Sequence, residues 1–401
     1  MENYNFLLVI ALILLSTKTF GLLSSHVHMP QVVGALLAGI ILGPSCLGWV
    51  EETDFLVKAS EIGVIMLMFM AGLDTDLSEL KKTGLASFII AVIGVIVPLI
   101  GGTGVYFLFF AETMDFQTIL RGLFVGVVLT ATSVSITVET LREMGKLNGK
   151  VGTAIVGAAV IDDILGIIVL SFMSSFSDPS ASPVKAGLQI LAFFVFLAVV
   201  GLVVHYVFKK MEEAVGQKRR IAIYALAFAL LLSYAAETFF GVADLTGAYF
   251  AGLILCNIAN LRQYIGKKVN VASYMMFSPL FFASVGIKTD LSGLTMEYIW
   301  FAFALLLVAI LSKIIGCGLG AKICGFSNRD CLRIGAGMVS RGEVALIVAQ
   351  KGLSAGLIAA TEIPAVVLVV IATTLITPLL LSSVMKDSPA ELAATEQKQT
   401  A

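Results

Sequence analysis

Residues 34–42 read GALLAGIIL, and residues 247–255 read GAYFAGLIL, which repeats the first segment 213 positions later. A second pair follows at nearly the same spacing, GLDTDLS at 72–78 and GIKTDLS at 286–292. The dipeptide Leu-Arg at 120–121 recurs as well, 212 positions along the chain. Three matches near one spacing indicate that the chain is built from two related halves.

The composition of both halves is that of a membrane protein. Of the 401 residues, 58% are hydrophobic and only 13% are charged, and the mean hydropathy is +0.99. In soluble domains about a quarter of all residues are charged. The composition therefore excludes a disordered chain and a soluble enzyme. The formal net charge of -1 provides no basic surface for phosphates and excludes nucleic acid as a partner. Three histidines and five cysteines show no metal-site or disulfide spacing, so we expect no cofactor.

Thirteen runs of the chain are apolar and long enough for membrane-spanning helices. A bilayer core of ~30 Å needs about 20 such residues. The first run follows no basic segment and contains Lys18, so we interpret it as a helix rather than a signal peptide. The sequence therefore predicts an all-α polytopic membrane protein, a single domain over residues 1–386, with helices at about 5–24, 30–49, 59–74, 84–110, 117–141, 151–175, 185–208, 220–240, 243–260, 270–287, 298–321, 331–355 and 363–384.

The basic residues predict the orientation, because cytoplasmic loops are enriched in Lys and Arg. Of the 26 Lys and Arg residues, three (Lys18, Lys313 and Arg341) lie inside the runs away from their ends. The others lie near or beyond the ends of the runs, eighteen on one side of the predicted membrane and five on the other. The sides alternate along the chain as thirteen helices require. We expect a multi-pass protein of the inner (cytoplasmic) membrane, surrounded by lipid, with the N-terminus outside and a short polar cytoplasmic tail at 387–401.

The spacing of the repeat determines how the halves are related. It corresponds to seven helices, an odd number, so the second half must cross the membrane in the opposite sense. We predict an inverted-topology repeat of six helices, with repeat one at about 5–175, a joining helix at 185–208 and repeat two at about 220–384. Inverted repeats are typical of secondary transporters, which bind substrate near the membrane midplane. The alternative is a duplication retained only for folding.

Five charged residues lie near the middle of predicted helices, where a charge costs roughly 2.5–3.5 kcal/mol. Asp162 and Asp163 lie in helix 6, Lys313 in helix 11, and Arg341 and Glu343 in helix 12. These three acids and two bases leave one negative charge uncompensated. That charge provides one binding position for a cation or a proton. Arg341 and Glu343 are two residues apart and do not face each other on a regular helix. We assign them to charge balance and to shaping the helix.

The middle of helix 5 is polar and β-branched, with the sequence LTATSVS at 129–135. This composition weakens a helix, and helix 12, the repeat partner of helix 5, is interrupted by glycine at the same depth. We predict two broken helices whose half-helix ends face a site. Carboxylate, hydroxyl and backbone oxygens suit Na⁺ or Li⁺. The candidate hydroxyl ligands are Thr130, Thr132 and Ser133.

Adjacent residues on a helix point about 100° apart, so Asp162 and Asp163 cannot both face one partner. One aspartate can pair with Lys313 while the other faces an aqueous cavity. The alternative for Asp162 and Lys313 is a purely structural ion pair. A carboxylate at the midplane without such a partner has no stabilising role, so we expect it to bind the transported ion.

These residues resemble the bacterial Na⁺/H⁺ antiporters of the monovalent cation:proton antiporter-2 family. The likeness covers residues 5 to about 385 and includes the midplane aspartates, the Thr-Ala-Thr-Ser stretch at 130–133, Lys313, and Ser-Arg-Gly-Glu at 340–343. The resemblance implies thirteen helices, a dimerisation domain and therefore a homodimer, and a six-helix core with two crossed, broken helices. It also implies that Lys313 pairs with the first aspartate, Asp162, and that Asp163 carries the ion.

The sequence therefore predicts a Na⁺(Li⁺)/H⁺ antiporter that works by alternating access, and not an enzyme. Na⁺ and H⁺ compete for Asp163, which is the predicted site of the metal ion, and participation of Lys313 would make transport electrogenic. The leading alternative is a K⁺/H⁺ or Na⁺/H⁺-K⁺ exchanger of the same architecture. An organic-anion symporter, an intramembrane aspartyl protease and a channel fit the residues less well.

Overall fold

The helices follow the apolar runs of the sequence. The computed structural model describes residues 5–26, 29–75, 77–111, 113–174, 183–215, 219–288, 296–354 and 356–386. Their helices are α1 (Asn5–His26), α2 (Gln31–Leu42), α3 (Asp54–Asp74), α4 (Leu77–Phe110), α5a (Phe116–Thr130), α5b (Val134–Glu143), α6 (Lys150–Ser174), α7 (Pro183–Val215), α8 (Arg219–Phe240), α9 (Asp244–Leu255), α10a (Ala259–Ala272), α10b (Ser278–Ile287), α11 (Met296–Ile323), α12a (Asn328–Gly337), α12b (Glu343–Ser354) and α13 (Ile363–Val384).

The described part of the chain is entirely helical and suited to a membrane. Ten of its helical stretches are long and apolar enough to cross a bilayer, and two shorter apolar helices, α2 and α9, accompany them. Only a bilayer makes such surfaces stable, because lipid solvates exposed apolar side chains while each helix satisfies its own backbone. The protein is an all-helical, multi-span membrane protein.

Four predicted helix boundaries differ from the structure by seven residues or more. The fourth run was predicted to begin at 84, but α4 begins at Leu77, and the seventh was predicted to end at 208, but α7 ends at Val215; both extra stretches are polar. The second run was predicted to continue to residue 49, but α2 ends at Leu42, because Gly43 and Pro44 follow and a residue before proline is disfavoured in a helix. The tenth run was predicted to begin at 270, but the helix begins at Ala259 with a polar stretch that hydropathy does not detect. Its middle contains one π-helical turn, Ser273–Phe277, between α10a and α10b.

Helices 5 and 12 are both interrupted, as their sequences predicted, and the interruptions meet. Residues 131–133 separate α5a from α5b, and residues 338–342 separate α12a from α12b. The Ser133 backbone N–H donates to the Ser340 carbonyl at 2.9 Å, and the Ser340 hydroxyl donates to the Ser133 carbonyl at 2.8 Å. These reciprocal hydrogen bonds satisfy backbone groups that the breaks leave without helical partners.

The helices pack as two groups. One group, which we call the scaffold group, contains α1, α2, α3, α8, α9 and α10. The other, which we call the core group, contains α4, α5, α6, α11, α12 and α13, and α7 contacts α6, α8 and α9 between them. The interrupted helices therefore lie within one group, and the second group packs beside them.

Glycines hold the scaffold group together at close range. A β-carbon on Gly252 of α9 would lie 2.1 Å from the Phe69 carbonyl oxygen of α3, and one on Gly39 of α2 would lie 2.2 Å from the Ala283 carbonyl oxygen of α10b. No side chain fits at these distances, so the backbones are in direct contact. The glycine-rich repeated segments are therefore surfaces of close helix packing.

Candidate ion-binding site

The crossing of the interrupted helices is held by hydroxyl groups. Thr137 of α5b donates its hydroxyl to the Gly337 carbonyl at 2.8 Å and lies 2.8 Å from the Ser340 hydroxyl. Thr374 of α13 donates its hydroxyl to the Arg341 carbonyl. The contacts with Gly337 and Arg341 each satisfy a carbonyl at the interruption of helix 12. Sequence reasoning missed Thr137; the available signal was a buried hydroxyl-bearing residue one turn beyond a predicted break.

Arg341 is fully buried in the interruption of helix 12, with 1% of its surface exposed. Its guanidinium donates to the carbonyl oxygens of Leu129 at 2.8 Å and of Ala309 at 3.1 Å, and also to that of Val339. Leu129 lies in the last turn of α5a, where carbonyls lack helical partners and carry partial negative charge. Arg341 therefore ties three helices together and neutralises the carbonyl end of a half-helix.

Asp162 and Lys313 form a buried ion pair. The Lys313 ammonium lies 3.0 Å from Asp162 Oδ1, and the two side chains are 0% and 1% exposed. Gly94 of α4 lies beside this pair and makes room for Cys317, since a β-carbon there would lie 2.5 Å from the Cys317 sulfur. Asp162 Oδ2 is buried without a hydrogen-bond partner among the described residues. The pair joins α6 to α11 at the centre of the core group.

Both aspartates line a cavity of about 960 Å³ that separates the scaffold group from the core group. Asp163 is 7% exposed, and Thr130 and Ala131 at the interruption of helix 5 line the same cavity. Ser284 of α10b faces it from the scaffold group. A small cation that enters this cavity can therefore approach the two carboxylates and the polar end of α5a.

The rest of the cavity lies toward one end of the helices and is acidic. Its charged lining residues beyond the two aspartates come from the beginning of α3, the end of α8, the beginning of α9 and the end of α10b. They are Glu52, Glu61, Glu237, Asp244 and Lys288. Four acids against one base raise the local concentration of cations. Glu52 and Lys288 form an ion pair at 3.2 Å.

The predicted site residues fall into three groups in the structure. Thr130 lies in the wall of the cavity beside the aspartates. Thr132 and Ser133 are buried in the interruption itself; the Thr132 hydroxyl has no hydrogen-bond partner among the described residues, whereas the Ser133 backbone is bound to Ser340. Glu343 begins α12b, but its side chain lies outside the described residues, so its role in charge balance stays a prediction.

These features define a class: a multi-span membrane transporter with buried carboxylates at the crossing of two interrupted helices. The chain belongs to the sodium/hydrogen exchanger family, because the model of that family, described as "Sodium/hydrogen exchanger, transmembrane", matches residues 8–387. The Na⁺/H⁺ antiporter family predicted from the sequence is thereby confirmed. The narrower subdivision, monovalent cation:proton antiporter-2, stays a prediction.

Individual relatives agree with the family. The Na⁺/H⁺-K⁺ antiporter GerN of Bacillus cereus is 41% identical over 94% of this chain and 95% of its own length. A Na⁺/H⁺ antiporter of Enterococcus hirae is 38% identical over 94% of this chain and 97% of its own length. The solved structure of the sodium proton antiporter MjNhaP1 from Methanocaldococcus jannaschii has the same fold, with a TM-score of 0.73, 19% identity, and coverage of 96% of this chain and 97% of that one.

Proposed function

We propose that this protein is a secondary active Na⁺(Li⁺)/H⁺ antiporter that works by alternating access. The observation that carries the proposal is the position of Asp162 and Asp163 at the inner end of an acidic cavity, beside the buried Lys313. The relatives named as Na⁺/H⁺ antiporters support it. A buried carboxylate in a membrane is costly, and reversible binding of a cation or a proton gives it a reason to be there.

Coupling follows from competition at Asp163. The carboxylate holds either Na⁺ or a proton, and only the loaded site lets the core group and scaffold group change which side of the membrane the cavity faces. Thr130 and Thr132 supply hydroxyl oxygens near this position, and hard oxygen donors suit Na⁺ and Li⁺. Ser133 contributes through the backbone that it holds in place. Arg341 and Glu343 balance charge at the crossing.

Lys313 makes transport electrogenic in this proposal. When Na⁺ arrives, Lys313 loses its proton, so the site carries either one Na⁺ or two protons in each half-cycle. The two loads differ by one charge, and the membrane potential then acts on each cycle. The buried contact of Lys313 with Asp162 supports this role, because it couples the charge of the lysine to the aspartate pair.

The second candidate function is K⁺/H⁺ or Na⁺/H⁺-K⁺ exchange at the same residues. The printed name of GerN, a Na⁺/H⁺-K⁺ antiporter, favours it. The two functions differ in the size of the cation, which the oxygens around Asp163 must fit. They share the residues, the alternating access and the acidic cavity.

The architecture that we propose has thirteen spans, with repeat one at about 5–175, a joining helix at 185–208 and repeat two at about 220–384. The glycine contacts of the scaffold group support an inverted repeat. Gly39 and Gly286 meet between α2 and α10b, and Gly252 and Gly72 meet between α9 and α3. Gly39 corresponds to Gly252 and Gly72 to Gly286 in the duplicated sequence. The two contacts are therefore equivalent positions of the two repeats.

We further propose a homodimer in the inner membrane, with monovalent cations and protons as its partners and lipid around it. The N-terminus lies outside, and the C-terminus with the tail at 387–401 lies in the cytoplasm. In this orientation the acidic cavity opens to the outside. The excess of basic residues on the opposite side supports it.

Purified protein in proteoliposomes tests the proposal. A Na⁺, Li⁺ or K⁺ gradient is imposed separately, and internal pH is followed with a trapped dye, with and without a membrane potential. We expect proton movement with Na⁺ and Li⁺. Proton movement driven by K⁺ at similar concentrations would favour K⁺/H⁺ or Na⁺/H⁺-K⁺ exchange. The same vesicles with Asp163→Asn are the control, and no cation-dependent proton movement in the wild type would refute both.

A further inference from the structure

We propose that a polar cluster at the end of the molecule opposite the cavity holds that end shut while the cavity is open. The cluster consists of Asp74, Glu139, Arg142 and Glu143 with the backbone of Gln31, and we call it the closing cluster. The closing cluster lies outside the ion-binding site. Its proposed role rests on the proposed function in one respect, because alternating access requires the two ends of the molecule to close in turn.

The contacts of the closing cluster cross from one helix group to the other. Arg142 near the end of α5b, in the core group, lies 3.5 Å from the Asp74 carboxylate at the end of α3, in the scaffold group. The same guanidinium is held by Glu139 at 3.1 Å, one turn earlier on α5b. Arg262 of α10a donates to the Asp74 carbonyl at 2.8 Å and so fixes the scaffold side. The ion pair thus joins α5b to the end of α3, which is itself bonded to α10a.

A second contact joins α5b to α2. The Gln31 backbone N–H, at the first residue of α2, donates to Glu143 Oε2 at 2.6 Å. A carboxylate at a helix N-terminus is stabilised by the free N–H groups and by the helix dipole. Both crossing contacts therefore come from the last turn of α5b, a half-helix that also carries Thr137 and directly follows Ser133 in the interruption of helix 5.

The position of the cluster agrees with a closing role. The cavity is lined by residues at the beginning of α3 and the end of α10b, such as Ser60 and Lys288. The closing cluster instead includes the end of α3 and lies beside the beginning of α10a. The two features lie at opposite ends of the same helices. Movement of α5b with the core group would break both crossing contacts at once and open this end.

Position 138, occupied by Val138, is suitable for a cysteine probe of that opening. It lies one turn before Arg142 on α5b, on the side toward the cavity, and is 1% exposed. It belongs to a buried apolar cluster that also contains residues of α2 and α3, the scaffold helices against which α5b packs. We therefore expect a cysteine at 138 to become more accessible when the two helix groups separate. Its reaction with a small water-soluble maleimide measures how often this end opens.

The experiment uses detergent-solubilised full-length protein with Val138→Cys, in which Cys46→Ser and Cys324→Ser remove the accessible native thiols. We expect slow labelling with the closing cluster intact. Asp74→Asn should raise the rate roughly two- to fivefold, the effect of one partly exposed ion pair. Addition of Glu143→Ala should bring the increase to about tenfold, because the contact with α2 is lost as well.

Two controls separate closure from general loosening. Glu79→Gln removes an exposed ion pair with Lys82 near the beginning of α4, within the core group, and should leave the labelling rate unchanged. The charge swap Asp74→Arg with Arg142→Asp restores an opposite pair and should return labelling toward the slow rate. Size-exclusion profiles check that each variant is folded.

The outcomes are distinct. Unchanged Val138 labelling in folded Asp74→Asn/Glu143→Ala protein, or equal acceleration by Glu79→Gln, would overturn the closing cluster. Protein that labels as expected but exchanges no cations in proteoliposomes would support the cluster and overturn only the transport assignment. Labelling needs no ion gradient, so the two proposals fail separately.

Discussion

Asp162→Asn should destabilise the protein more than Asp163→Asn does. The change removes the negative partner of Lys313 and leaves the ammonium, which is 0% exposed, without a counter-charge at 3.0 Å. Removal of one member of a buried ion pair costs about 3–5 kcal/mol. The amide still occupies the same volume, so this cost reflects charge and not packing.

The expected loss of stability can be measured as a fall in the melting temperature, Tm. Unfolding entropy of ~2.1 cal/mol/K per residue, over the 401 residues of the chain, converts about 3–5 kcal/mol into a fall in Tm of about 4–6 °C. Thermal unfolding of detergent-solubilised protein, followed by tryptophan or dye fluorescence, resolves such a change. The matched control is Asp163→Asn, the same chemistry at the next residue, which should lower Tm less.

A double substitution distinguishes the ion pair from other effects. Asp162→Leu with Lys313→Met removes both charges and should recover most of the lost stability, because apolar replacements of buried pairs are often neutral. Coupling in this double-mutant cycle should exceed about 1 kcal/mol. A larger fall in Tm for Asp163→Asn than for Asp162→Asn would refute the reasoning and reverse the roles of the two aspartates.

Three further predictions concern transport and packing. Asp163→Asn should abolish Na⁺-dependent proton movement in everted vesicles while the protein stays folded and inserted; normal movement would contradict the carrier assignment. Lys313→Gln should keep exchange but make it insensitive to a valinomycin-set potential, and a wild type that ignores voltage would contradict this. Gly252→Leu should separate α9 from α3 and cost more than ~4 kcal/mol, seen as loss of the monodisperse size-exclusion peak, whereas Gly104→Leu, with open space around it, should not.

The helices could be predicted from the sequence because a bilayer imposes one rule on every span, which is that the helix must be a long apolar run. Each of the thirteen predicted runs overlaps a helix of the structure. The errors lie where the rule does not apply. Hydropathy extended α2 past Leu42 because the turn that follows is also apolar, and it missed the beginning of α10a because that stretch is polar. The π-helical turn at 273–277 has no signature in a hydropathy pattern.

The buried charges of the candidate site, Asp162, Asp163, Lys313 and Arg341, could be picked out in the sequence because a charge at the membrane midplane is costly. Their partners could be predicted only partly. The contact of Asp162 with Lys313 fitted both a charge argument and a family resemblance, and the structure gives it a distance of 3.0 Å. The carbonyl oxygens that Arg341 contacts could not be predicted, since backbone positions at a crossing depend on where both interruptions fall in space.

The two proposed repeats explain why a polar residue stands at position 163. Its counterpart in repeat two is Thr374, which donates its hydroxyl to the Arg341 carbonyl inside the interruption of helix 12. An interrupted helix leaves backbone groups that need partners, so a short polar side chain at this depth serves the fold in either half. In repeat one that position holds an aspartate at the inner end of the cavity. The fold accounts for a polar residue there, and the charge is what the proposed ion binding requires.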